Sequence, residues 1–209
     1  TPPSPIVVVG AGAAGLMAAI MAAEGPRPVL VLERTHDGGR KILISGGGRC
    51  NVLPSVLAPE RFVTDSSPNT LRNLLRSWPL ADQQRFFEHE VGLPLALESE
   101  TGKLFPASNR ARDVRDGLVA LARTRGVQFR FGVCVEDLVA VDPGHWRVTL
   151  EAGEAIDAAA VVLATGGLSV PQTGSDGIGL SIVERLGHTI HATYPALTPL
   201  IAQPPVHAS

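Results

Sequence analysis

The sequence has little of what several classes of protein require. Only Cys50 and Cys134 are cysteines among its 209 residues. Two thiols cannot build a disulfide framework, so a reducing, cytoplasmic setting is expected. Charge of one sign is also missing: the formal net charge is −2, which gives no electrostatic footprint for nucleic acid or an anionic membrane. No His, Cys, Asp and Glu grouping has metal-ligand spacing. Ser45 and Ser169 lie among glycines, but neither sits in the GxSxG elbow of a hydrolase. There is no internal repeat and no low-complexity segment. The stretch from Ile6 to Ala23 is free of charge and 18 residues long, the lower edge of a membrane span. Ala and Gly dominate it, and the residues before it carry no positive side chain, so neither a membrane span nor a signal peptide is expected.

What is present is a globular composition, 44% apolar and 18% charged, with 22 glycines and 17 prolines implying many turns. Ile6 to Val9 is a β-branched run of the kind found in buried parallel strands. Ala13 to Glu24 favours helix, Gly25-Pro26 ends it, and Val29 to Leu32 is a second buried strand closing on Glu33. A glycine-rich polar loop is expected from Thr35 to about Pro54. Two amphipathic helices follow at Pro68 to Trp78 and Ala81 to Val91, the first with Leu71, Leu74, Leu75 and Trp78 on one face. Leu93 to Pro106 reads as short strands around Thr101-Gly102. Ser108 is the expected cap of a helix running to Arg125, with Gly126 beyond it. Asp113 and Asp116 beside Arg112 and Arg115 read as a solvated face of that helix. Val127 to Phe131 is a strand. Cys134 to Val141, Trp146 to Leu150 and Ala155 to Ala158 form an antiparallel meander turning at Asp142-Pro143-Gly144. Ala160 to Ala164 is another buried strand, and a helix from Gly179 to Leu186 stops at Gly187. His188, His191 and Tyr194 read as surface residues, and the Pro-rich tail after Pro195 holds no evident core element.

Three segments carry chemistry. Gly10-Ala11-Gly12-Ala13-Ala14-Gly15 follows a strand and opens a helix. Gly10 permits the tight turn, Gly12 admits a pyrophosphate, and Gly15 lets the helix pack on the sheet. The helix start supplies unpaired N–H groups to the phosphates. Glu33, 23 residues after Gly10, can accept both ribose hydroxyls and would repel a 2′-phosphate. This is a dinucleotide-binding βαβ unit. The second segment joins Gly39-Arg40-Lys41 to Ser45-Gly46-Gly47-Gly48-Arg49-Cys50-Asn51, where consecutive glycines expose backbone N–H groups among three cations. Cys50 reads there as a structural or backbone-only residue rather than a redox thiol. The third is Val161-Val162-Leu163-Ala164-Thr165-Gly166-Gly167, a strand ending in glycine-rich backbone.

Together these segments resemble the HI0933-like, or YhiN-like, NAD(P)/FAD-dependent oxidoreductases, a flavoprotein family that includes bile-acid reductases. The resemblance runs through nearly the whole chain. It is carried by GAGAAGLMAA (Gly10 to Ala19), GRKILISGGGRCN (Gly39 to Asn51), KLFPASNRARDV (Lys103 to Val114), ATGGLSVPQTGSDGIG (Ala164 to Gly179), and GHTI with PALTPL (Pro195 to Leu200).

The resemblance implies an α/β fold: a glutathione-reductase-like Rossmann FAD-binding domain with a parallel sheet and a small antiparallel meander, spanning residues 1–209 with a helical and hairpin excursion at about 60–107. Gly10, Gly12, Ala13, Ala14 and Gly15 would hold the pyrophosphate, Glu33 the adenosine ribose, and Arg34 would lie beside the adenosine. Lys41, Gly47, Arg49, Cys50 and Asn51 would line the cofactor toward the flavin. The Val135 backbone would meet adenine, and Ala164, Thr165, Gly166 and Gly167 would form the second FAD loop. The implied activity is hydride transfer from NAD(P)H through FAD to a small organic acceptor, such as an enone. Val170 stands where the family usually has Tyr, and Ile178 where it often has Asp, both toward the flavin. Family members continue past PALTPL into an inserted domain and a closing segment, so this chain is expected to correspond to the N-terminal part. Two alternatives differ in class: a noncatalytic or truncated FAD-binding module, and an NAD-only dehydrogenase that leaves the second and third segments without a purpose.

Overall fold

A computed structural model describes residues 3–151 and 153–195. The first turn of the chain is the expected one: strand β1 (Ile6–Val9), helix α1 (Ala13–Ala22) and strand β2 (Val29–Glu33). The segment expected as a loop from Thr35 to Pro54 is more structured. It holds a short helix α2 (Arg40–Ile44), a tight 3-10 turn at Ser45–Gly48, and strand β3 (Leu53–Pro54). The loop reading weighted the glycines and missed the apolar run of Ile42, Leu43 and Ile44, of which Ile42 is buried in the core.

Helices α3 (Pro68–Ser77) and α4 (Leu80–Arg85) follow, α4 running on into a wide π turn at Phe86–Glu90. Ser67 caps α3 by accepting from the Thr70 N–H. The apolar face of α3 is not buried: Leu74 is 67% exposed, while Trp78, just beyond the helix, packs edge-on against Phe86. Strands β4 (Leu95–Glu98) and β5 (Lys103–Pro106) pair antiparallel, with β3 on the far side of β5.

Helix α5 (Ala111–Thr124) begins later than expected. Its cap position is Arg110, with no side-chain bond, so Ser108 does not cap it. The reading of its charged residues as a solvated face also fails at Arg115, which is 8% exposed. A charge is kept there because Asp37 and Asp116 pair with it. Strand β6 (Gln128–Phe131), the meander β7 (Val135–Asp142), β8 (His145–Leu150) and β9 (Ala155–Ala158), strand β10 (Ala160–Leu163) and helix α6 (Ile178–Arg185) complete the described chain. His188, His191 and Tyr194 are exposed; residues 196–200 of PALTPL and the tail after them lie outside the described residues.

The central sheet is parallel, in the order β10-β1-β2-β6. Side chains alternate across it. Val8 and Val31 point to one face, where α1 and α5 cover them with Leu16, Ile20, Val114 and Leu118. Val7, Val9 and Leu32 point to the other face, where they join Leu138, Val148 and Leu150 of the meander and Ile182 of α6. Strand β1 is therefore buried on both faces, which is why its sequence is a continuous apolar run. Burying each of Val7, Val8 and Val31 contributes about 1.5–3 kcal/mol. Among the described residues, no helix is long and apolar enough to cross a membrane.

Candidate functional site

Because the sheet is parallel, β1, β2 and β10 all end on the same edge. Gly10, Glu33 and Ala164 thus emerge side by side, and the strand order reverses at β1, with β2 and β6 on one side of it and β10 on the other, which opens a crevice at the carboxyl ends of the strands. A cavity of about 760 Å³ lies there, lined by Gly10, Gly12, Ala13, Ala14, Glu33 and Arg34 from the first βαβ unit. Gly39, Arg40 and Lys41 line it from the second segment, and Ala164, Thr165 and Gly166 from the third. Val135, at the start of β7, lines it as well. Gly15 sits behind the lining, buried in the turn.

The glycines of the first segment do different work. Gly10 has φ +103°, and a Cβ there would stand 2.6 Å from the Ala164 carbonyl oxygen. A Cβ on Gly15 would overlap the Gly10 carbonyl oxygen and press on Ala164. Both are demanded by the fold. Gly12 is not. Its φ of −77° and ψ of −175° suit any residue, and a Cβ would meet nothing within 4 Å. It faces the cavity as the cap position of α1, with no side-chain bond capping that helix and no acid in its first turn. The first-turn N–H groups of α1 therefore keep their capacity to donate toward an anion in the crevice.

Glu33 is 8% exposed and ties two loops together. Its Oε2 accepts the Ala11 N–H at 2.7 Å, and its Oε1 accepts the Thr35 N–H and hydroxyl, each at 2.7 Å. A carboxylate has about four lone-pair sites, so about one remains for a ligand. The expectation that Glu33 accepts both ribose hydroxyls narrows to one.

Lys41 projects from α2 and donates to the Ser175 hydroxyl across the crevice. Ser175 is 5% exposed and donates in turn to the Ser169 carbonyl. Arg34 donates to Asp176 at 2.5 Å and to the Gly174 carbonyl at 3.3 Å. The bond between Arg34 and Asp176 holds the guanidinium above its ordinary value and the carboxyl below its own. Cys134 lines the same end of the cavity, its thiol raised mainly by burial.

The second half of the second segment faces elsewhere. Gly47, Arg49, Cys50 and Asn51 do not line this cavity, and neither does Gly167. Gly46, Gly47 and Gly48 all have positive φ, so a tight left-handed turn requires them. Arg49 leaves that turn for the β4–β5 hairpin, donating to Glu98 at 2.6 Å with its guanidinium 4.2 Å from the Phe105 ring centre. Cys50 packs into the core beside Leu53 and Leu104, and burial raises its thiol.

Sequence reasoning assigned no role to Gly174, Ser175 and Asp176. The glycine-rich run before α6 was a usable signal, since two strand ends facing one crevice need a wall opposite them. That Lys41 and Arg34 would reach this run could not be read from spacing, because the contacts span 134 and 142 residues.

The model of the HI0933-like protein Rossmann domain matches residues 4–194. The chain is similar to a 3-dehydro-bile acid delta(4,6)-reductase of Clostridium scindens, 34% identical over 93% of this chain and 47% of the relative. It is similar to a ribosomal RNA dihydrouridine synthase of Escherichia coli, 29% identical over 96% of this chain and 48% of the relative. The chain thus spans about half the length of the curated relatives it matches. Among solved structures, the 3-ketosteroid-delta4-(5alpha)-dehydrogenase of Rhodococcus jostii aligns with a TM-score of 0.56 at 20% identity, over 79% of this chain and 46% of that one. Thermovibrio ammonificans THI4 aligns with a TM-score of 0.54 at 18% identity, over 87% and 62%. These two are likenesses of fold. With its Rossmann sheet and the match over nearly its whole described length, the chain belongs to the HI0933-like family.

Proposed function

We propose that this chain is the FAD-binding Rossmann module of an oxidoreductase. The observation that carries the reading is Gly12: neither backbone angle nor neighbours require a glycine, yet one stands at the mouth of α1 facing a large crevice. A diphosphate lying on that backbone would be displaced by any side chain. The crevice fits a dinucleotide. Gly12, Ala13 and Ala14 offer backbone donors to the diphosphate, and the Lys41 ammonium can leave Ser175 for a phosphate oxygen. Glu33 accepts from a ribose hydroxyl, and its charge opposes a 2′-phosphate there. Arg34 lies beside the adenosine, Val135 presents backbone to the base, and Ala164 to Gly167 form the opposite loop.

Bound there, FAD would supply hydride transfer from a reduced nicotinamide to an organic acceptor. The relatives' names bear on the acceptor class. One relative reduces ring double bonds in a 3-dehydro bile acid, and the other converts uridine in ribosomal RNA to dihydrouridine. A delta(4,6)-reduction and the making of a dihydro base both point to saturation of a C=C, so the acceptor proposed here is an enone-type double bond, carried either on a small molecule or on a base.

The first test is the absorbance spectrum of the purified chain, followed by identification of the released cofactor. Yellow protein releasing FAD is expected. Colourless protein that also fails to bind added FAD would refute the reading. Preference for NAD over FAD would favour a nicotinamide-only dehydrogenase. FAD binding without NADH oxidation in the presence of an enone would leave a binding module, and the oxidoreductase half of the proposal would fall.

A further inference from the structure

The cavity wall made by Gly39, Arg40 and Lys41 rests on a residue outside it. Helix α2 has only five residues, too few to hold a side chain's place by itself. Its approach, from His36 to Gly39, is fixed at two points. The Gly39 N–H donates to the Ala11 carbonyl at 2.8 Å, tying the turn to the first glycine loop. From the other side comes Arg115 of α5. Its stem passes directly beneath Gly39, so close that a Cβ on Gly39 would overlap it. Its guanidinium then reaches the Asp37 carbonyl and carboxylate, both at 3.5 Å, while pairing with Asp116. Asp37 also holds Arg40, at 3.4 Å.

We infer that Arg115 is a positioning residue for Lys41: through Asp37 and Gly39 it sets where α2 begins, and so where the Lys41 ammonium stands in the crevice. The placement explains an otherwise costly arrangement. An arginine with only 8% of its surface exposed is retained where a leucine would fill a helix–loop contact, because only a planar cation on a long stem can pack under Gly39 and bond Asp37 together. Arg115 does not line the cavity; its effect passes through Lys41. The ligand part of this inference rests on the FAD reading, whereas the placing of Lys41 does not.

The chain's composition supplies a readout of Lys41 that needs no ligand. It contains two lysines, Lys41 and the exposed Lys103. Brief acetylation with acetic anhydride, with the Lys41-to-Lys103 labelling ratio read by mass spectrometry, reports how firmly the Lys41 ammonium is held, with Lys103 as internal reference. Arg115→Met keeps the stem and removes the fork, and it should raise this ratio about threefold; Arg115→Lys should give an intermediate ratio, since it restores charge without the two-pronged contact. In FAD titrations, Arg115→Met should weaken binding about tenfold in the native background but less than about twofold in a Lys41→Met background, because coupled residues are not additive.

An unchanged labelling ratio in folded Arg115→Met would overturn the inference. So would equal losses of FAD affinity in both backgrounds, which would show a structural role independent of Lys41. Should Arg115→Met fail to fold, Asp37→Asn tests the same link from its other end, and an unchanged ratio there overturns it equally. If the ratio rises but the native chain binds no FAD, the positioning of Lys41 stands and the cofactor reading falls.

Discussion

The two glycine-rich loops look alike in sequence and differ in what they need glycine for. In the first, Gly10 and Gly15 are required by contacts within the protein, and Gly12 by none. In the second, Gly46, Gly47 and Gly48 are all required by left-handed backbone, and the turn they make leads Arg49 away from the cavity toward a hairpin. The third loop repeats the first in small: Gly166 has φ +76°, whereas Gly167 is absent from the positive-φ positions and a Cβ on it would meet nothing within 4 Å. A glycine with no internal reason marks a place kept clear for something else. A glycine at positive φ marks only how the chain turns.

The comparison can be broken first at Gly15. Gly15→Val should abolish the fold, because the branched side chain would overlap the Gly10 carbonyl and cannot move without separating α1 from the sheet. A loss above about 4 kcal/mol is expected, read as an absent cooperative transition in thermal circular dichroism. Gly12→Val should leave that transition within a few degrees of the native one, yet weaken FAD binding at least about 100-fold, roughly 2.7 kcal/mol. Retained flavin in Gly12→Val would mean that the diphosphate does not lie on this turn. Gly167 does not line the cavity, so Gly167→Val should keep both the fold and most of the FAD affinity; a loss of affinity with intact folding would bring the end of the third loop into the site.

Glu33 comes next in size. Its three protein donors make it a joint between loops as well as a candidate ribose acceptor. Glu33→Gln places an amide among donors, leaving at least one of them unsatisfied at about 1–3 kcal/mol. Both melting temperature and FAD affinity should fall. Glu33→Arg should lower affinity further, since it removes the acceptor and adds a positive charge. Native FAD affinity in Glu33→Arg would remove the residue from the site.

Much of this was legible beforehand, for physical reasons. A strand buried on both faces must be apolar throughout, so β1 and β2 announce themselves; β10 was expected to be buried too, but its apolar run lies at the edge of the sheet with Ala160 and Val162 exposed, because an edge strand has a neighbour on one side only. A strand–glycine–helix turn has few uses, and the meander's turn residues fix its hairpin. What could not be read are the contacts that cross the chain. Arg115 looks like any charged helix residue until Asp37 is brought beneath it from 78 residues away. Ser108 resembles a cap, but α5 starts three residues later, at Ala111. The amphipathic pattern of α3 correctly marks a helix, yet its apolar face is only partly covered, with Leu74 exposed and Leu71 and Leu75 half-buried, because periodicity reports a face and not what covers it.

A smaller effect separates the adenosine end from the rest. The Arg34–Asp176 pair ties the end of β2 to the loop before α6, and Asp176 is held below its ordinary carboxylate value chiefly by the bond to Arg34. A depressed carboxylate contributes stability that is fully present above its unfolded value and is lost as pH falls through its folded value. Both side chains are well exposed, 39% and 48%, so screening keeps the contribution under about 1 kcal/mol. Native protein should therefore lose slightly more stability than Asp176→Asn between pH 5 and pH 3, taken as the window around and below an ordinary carboxylate value of about 3.9. Identical acid profiles would show that the pair is incidental.

The finest test addresses the second loop, whose two halves the structure separates. Its front, Gly39 to Lys41, lines the crevice; its back, Gly47 to Asn51, does not. If the back serves only to brace the β4–β5 hairpin, Arg49→Met should leave ADP binding within about twofold of native, since ADP would reach only the βαβ end of the crevice and uncoupled sites act independently. Full FAD adds the isoalloxazine ring, which the family resemblance places near Arg49. A selective loss of FAD affinity in Arg49→Met, with ADP affinity kept, would bring the back of the loop into the flavin site. Native affinities for both ligands in Arg49→Met would leave Arg49 as a brace, held by Glu98 and Phe105, and would confine the cofactor-binding work of this loop to α2.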